Sequence, residues 1–113
     1  MAGKKEQEGA EEGINELQIL EQNMQSLLMQ KQNLQAQLIE AESALEELGK
    51  TDSAYKIVGS IMVAAKKEDL KKDLETKKET ISLRIKSIEK QEERIRDKAS
   101  KTQAEILEKM GKK

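Results

Sequence analysis

From Leu17 onward, seam residues recur at alternating intervals of three and four: Leu17, Leu20, Met24, Leu27, Lys31, Leu34, Leu38, Ala41, Leu45 and Leu48. Lys31 is the one polar member. This a/d heptad spacing draws a single apolar stripe along a helix and marks a coiled-coil seam. It predicts a helix over residues 14–49, with Gly49 as the residue type that most easily takes the left-handed conformation closing a helix. A second seam runs Leu74, Lys78, Ile81, Ile85, Ile88, Glu92, Ile95, Ala99, Thr102 and Ile106 and predicts a helix over residues 67–110. Glu68 and Asp69 fall in its first turn, where the helix dipole favours anions. Between the helices, over residues 53–65, the period changes. β-Branched residues and the lone Tyr gather in Tyr55-Lys56-Ile57-Val58 and Ile61-Met62-Val63, on either side of Gly59-Ser60. That pattern predicts a β-hairpin with a two-residue type II′ turn, Gly first. The charged, Gly-bearing residues 1–13 read as a disordered arm, which leaves 14–113 as one domain.

The two seams match when the helices are laid antiparallel. Leu45 then faces Leu74, Leu38 faces Ile81, Leu34 faces Ile85, Met24 faces Ile95, Leu20 faces Ala99 and Leu17 faces Thr102. Lys31 faces Ile88, and one layer along Leu27 faces Glu92. Lys31 and Glu92 therefore become neighbours in the seam and are expected to pair. A polar pair at such a position sets register more than it adds stability. Thr102 is a weak seam residue, so the end of the pair near the chain termini is expected to splay.

The hairpin places Tyr55, Ile57, Met62 and Ala64 on one face and Lys56, Val58, Ile61 and Val63 on the other. Both faces are largely apolar. A lone hairpin of this kind is marginal in water and exposes two strand edges. The helices already use their stripes on each other, so strands from other subunits are expected to cover it, as an intersubunit sheet or barrel. Tyr55, Ile57, Val58, Gly59, Ile61, Met62 and Val63 are the expected assembly residues.

Composition removes most chemistry. The chain has 113 residues, 38% of them charged and 1% aromatic, with no Pro, Cys or His. No disulfide or thiol chemistry is available, and the commonest general base and metal ligand is missing. Paired carboxylates such as Glu89 with Glu92 or Glu93 recur by chance in so charged a chain. A two-helix rod offers them no cleft in which to acquire different acidities. No Gly-rich phosphate loop can be drawn. The expectation is no enzyme, no catalytic residue, no metal site and no cofactor. Residues 1–49 carry a net charge of −7 and residues 50–113 a net of +6. The basic residues are interleaved with acids, as in Glu89-Lys90-Gln91-Glu92-Glu93-Arg94, unlike a phosphate-binding stripe. Two halves that attract each other are the better reading, and no nucleic-acid partner is expected. Ile57 to Ala65 is the longest mostly apolar stretch, far short of the ~20 residues of a membrane helix. With no apolar signal segment at the start, no membrane partner and a cytoplasmic location are expected.

The layout of helix, strand-turn-strand and helix resembles prefoldin, specifically its β-type subunit with one hairpin. The stretch Ala54-Tyr55-Lys56-Ile57-Val58-Gly59-Ser60-Ile61-Met62-Val63 is similar to the hairpin of that family. Ala44-Leu45-Glu46-Glu47-Leu48 and Ile88-Glu89-Lys90-Gln91-Glu92-Glu93-Arg94 are similar to archaeal β subunits. The resemblance covers residues 14–110. It implies a mainly α fold, a long antiparallel two-helix coiled coil joined by one β-hairpin that assembles into an intersubunit β-barrel. It also implies a hetero-hexamer of two α-type and four β-type subunits. Its coiled-coil tips would hold non-native client proteins without ATP and deliver them to a group II chaperonin. A structural coiled-coil adaptor without client-holding activity is the alternative. In this sequence the tips are the two chain ends, and the expected client-binding residues are Ile14, Leu17, Ile19, Leu20, Ile106, Leu107 and Met110.

Overall fold

The computed structural model describes residues 2–111, with side chains from Glu8 onward. The elements are α1 (Ala2–Lys50), β1 (Ala54–Val58), β2 (Ile61–Ala65) and α2 (Lys67–Gly111). Two long helices joined by one antiparallel hairpin is the architecture the heptads and the turn signal predict.

Two local expectations are corrected. The first is the disordered arm over residues 1–13, because α1 is already helical at Ala2. Strong helix formers fill most of that stretch, and its end has a packed partner. Stepping back from Leu17 by four and then three lands on Gly13 and Ala10. Ala10 is buried, and Gly13 lies against Ile106 of α2. The seam therefore continues through two positions that carry almost no side chain.

The second correction concerns Gly49. It stays inside α1 and does not take the left-handed conformation, which among the described residues only Gly59 adopts. The helix stops instead at a hydroxyl turn. The Thr51 hydroxyl donates to the Ser53 carbonyl at 3.1 Å, and Ser53 N–H donates back to the Thr51 oxygen at 3.3 Å. Such local bonding competes with the helical ladder. Lys50 adds a favourable charge at the C-terminal end, 3.7 Å from Glu46 and 3.8 Å from Glu47.

The chain folds as two compact units, residues 1–30 with 87–113 and residues 31–86. In the first, α1 and α2 run antiparallel. Gly9 lies beside Lys109 and Gly13 beside Ile106, and Glu16 pairs with Lys98 at 3.6 Å. Gly13 against Ile106 is the next step of the register that opposes Leu17 to Thr102. Ala10, Leu20, Leu27, Ile88, Thr102 and Ile106 are buried there, as is Glu92.

In the second unit Ala41, Leu48 and Ile81 are buried, and Leu34, Leu38, Leu45, Leu74 and Ile85 are half-buried. Glu42 and Lys78 pair across the helices at 3.8 Å. Exposed pairs of this kind contribute little. No large side chain among the described residues is completely buried. A two-helix pair has one seam and no second layer, so every seam residue keeps one flank in water.

The hairpin completes the second unit. Its register pairs Ala54 with Ala65, Tyr55 with Ala64, Lys56 with Val63, Ile57 with Met62 and Val58 with Ile61. Gly59 has φ 63° and Ser60 has negative φ, the signature of a type II′ turn. A side chain at Gly59 would meet no neighbour, so only backbone conformation constrains this position. Gly59→Ala is expected to lower hairpin stability by about 1–2 kcal/mol, the cost of a left-handed non-Gly residue. Thermal denaturation of the assembled protein reads it out. An unchanged midpoint would mean that the turn is free to change type.

Candidate functional site

Two surfaces gather several large apolar side chains in solvent, and each belongs to one unit; Leu28, Met29, Ile39 and Leu83 are exposed elsewhere along the helices. The first is the hairpin. Because side chains alternate along a strand, the register puts Tyr55, Ile57 and Met62 on one face and Val58, Ile61 and Val63 on the other. All six are exposed in the single chain, from 42% for Val63 to 69% for Ile57. Lys56 is the only charge between Ala54 and Ala65. At the base of the hairpin an open groove is lined by Leu48, Tyr55, Ile57, Leu70 and Leu74. A contiguous apolar surface of this kind marks a contact site. Two strands alone also leave both outer edges with unpaired backbone groups. What the arrangement can do chemically is bind more strand.

The second surface lies where the terminal turns of α1 and α2 come together. The expected residues separate into two sets there. Ile14, Ile19, Leu107 and Met110 are exposed, at 44%, 58%, 65% and 69%. Leu20 and Ile106 are buried and Leu17 is half-buried. Those three face the opposite helix, and Leu17 and Leu20 line an open groove there with Met24, Ile95 and Ala99. The reason is their heptad position: all three are seam residues, whereas Ile14, Ile19, Leu107 and Met110 lie off the seam. Thr102 is only 5% exposed, so in this conformation the seam stays closed at this position. Its methyl would lie 3.8 Å from a Cβ built on Gly13.

Lys31 is half-buried in the second unit, and Glu92 is buried in the first. Glu92 meets Arg96 one helical turn on at 3.9 Å. Among the described residues no buried side-chain oxygen or nitrogen lacks a partner. The sequence reading missed Ala10 and Gly13 as packing positions. The signal that finds them is the heptad count itself, continued back past Leu17. Among the described residues no helix is long and apolar enough to cross a membrane.

Residues 11–113 match the prefoldin subunit family. The chain belongs to that family. Its single hairpin goes with the β-type prefoldin subunits, and so do its relatives. Prefoldin subunit beta of Archaeoglobus fulgidus is 48% identical over 52 residues, covering 46% of this chain and 45% of that protein. Prefoldin subunit beta of Methanocella arvoryzae is 40% identical over 58 residues, covering 51% of this chain and 46% of that protein. The alignments thus span about half the length of the curated prefoldin relatives. The crystal structure of the prefoldin beta subunit from Thermococcus strain KS-1 superposes with a TM-score of 0.83 at 29% identity. That match covers 88% of this chain and 90% of the Thermococcus chain.

Proposed function

We propose that this prefoldin-family chain is a β-type subunit of a cytoplasmic, ATP-independent holding chaperone. Its hairpin joins those of other subunits, two α-type and four β-type, in an intersubunit β-barrel. The terminal ends of its helix pairs then capture non-native proteins and deliver them to a group II chaperonin. The observation that carries the reading is the apolar surface at the terminal turns, where Ile14, Ile19, Leu107 and Met110 stay in solvent. Unfolded proteins expose apolar side chains, and a protein that holds them needs matching apolar groups within reach. Residues Leu17, Leu20 and Ile106 would join the contact only when the helix ends separate. No step of this function calls for a catalytic residue, a metal or a cofactor.

Co-expression with an α-type subunit tests the assembly, and a chemically denatured client diluted without nucleotide tests the holding. The expected result is a complex with the mass of two α-type and four β-type subunits that suppresses light scattering by the client. A complex of that mass that leaves aggregation unchanged would make the chain an adaptor, and a chain that takes up no partner would overturn both parts.

A further inference from the structure

The terminal turns of α1 and α2 approach each other unusually closely. A Cβ added to Gly13 would lie 2.6 Å from Cγ1 and 2.9 Å from Cδ1 of Ile106. Real side chains do not tolerate such distances. A Cβ built on Gly9 would likewise lie 2.8 Å from Nζ of Lys109. Only the first of these contacts is stiff. Nζ is the free end of a long flexible chain and can move aside, so Gly9 is not decisive. Ile106 is β-branched, which leaves one strongly favoured χ1 in a helix, and it is buried. Its Cγ1 cannot swing away without moving the helix. Gly13 is thus the position that lets α2 come down onto α1.

We propose that Gly13 and Ile106 form a latch that holds the helix ends together and masks the seam residues Leu20 and Ile106 from other proteins. The proposal rests on the holding function above and adds a control to it. In the latched state only the off-seam side chains Ile14, Ile19, Leu107 and Met110 face solvent. In the open state Ile106, Leu20 and the half-buried Leu17 become available as well, so opening enlarges the apolar surface at that end. Glycine in a helix is otherwise a disadvantage, since it carries the larger entropy loss on folding. A glycine at a seam position therefore fits a need for proximity.

Gly13→Ala in the full-length chain separates this from a passive role. Alanine is the better helix former, so without a latch the substitution raises amide protection across the terminal turns. With a latch it overpacks against Ile106. Hydrogen–deuterium exchange over residues 8–20 and 102–110 should then rise by roughly ten- to a hundredfold, the size of an overpacking penalty. Ile106→Ala takes away the other half of the latch and should raise exchange over the same turns. Gly49→Ala, where the added methyl meets nothing, should leave the terminal turns unchanged. Aggregation suppression should increase in Gly13→Ala. Unchanged or higher protection in Gly13→Ala, or an equal loss of protection at the terminal turns in Gly49→Ala, would overturn the latch. Lost protection with unaltered client capture would overturn the masking. A parent protein that suppresses no aggregation would sink the holding function, while the exchange data would still decide the latch.

Discussion

Replacing Ile57 and Ile61 together with aspartate will reduce the assembled protein to monomers without unfolding its helices. The two residues lie on opposite faces of the hairpin and are 69% and 64% exposed in the single chain. Substitutions at such exposed sites change the stability of the isolated chain by about 0.5 kcal/mol at most. In the proposed barrel both side chains are covered by strands of neighbouring subunits. Burying an isoleucine contributes about 1.5–3 kcal/mol, so the pair contributes about 3–6 kcal/mol to each contact. That corresponds to a dissociation constant raised by roughly a hundredfold or more, before adding the cost of burying carboxylates without partners. Analytical ultracentrifugation should find the single-chain mass, with helical circular dichroism unchanged. A variant that keeps its assembled mass would show that the subunits join elsewhere.

The second large effect is at the other surface. Ile19→Ser, Leu107→Ser and Met110→Ser combined should leave fold and assembly intact and weaken client holding severely. All three side chains are more than half exposed and off the seam, so none contributes to the helix pair. Each loses about 1 kcal/mol or more of apolar contact to a client, and together they weaken holding by roughly a hundredfold per end. Removing residues 1–22 and 102–113 should weaken capture at least as much while sparing assembly. Light-scattering suppression on a denatured client measures both. Full suppression by both variants would mean that the client rests on another part of the helices. The two experiments act in opposite senses on one protein: the hairpin variant loses mass, and the terminal variants keep mass and lose capture.

Most of the architecture is legible in the sequence. The 3/4 spacing from Leu17 to Leu48 named the face that α1 buries, because helical geometry fixes which residues share a stripe. Leu20, Leu27, Ala41 and Leu48 on that stripe are indeed buried. Likewise, Gly59-Ser60 between two β-branched runs named the hairpin, its turn type and its two faces, since a two-residue loop dictates register. These readings succeed because they depend on neighbours along the chain.

The remainder depended on distance between segments far apart in sequence. Gly49 and Gly13 are the same residue type, yet they do different things. Gly49 is a helical residue against open space, while Gly13 is a seam residue against Ile106. A glycine adds nothing to a hydrophobic pattern, so the pattern faded at Leu17 and the first turns of α1 read as an arm. The same holds for Ile106, which a list of apolar residues near the chain end cannot tell from Leu107 or Met110. Its burial follows from how closely α2 descends onto α1 at Gly13. The sequence by itself thus determined the elements, their apolar faces and the apolar hairpin left in solvent, because periodicity is a local property. Tertiary structure alone decided which terminal side chains are covered, because that depends on the separation of two helices, and a missing Cβ sets that separation only when the other helix is there to use it.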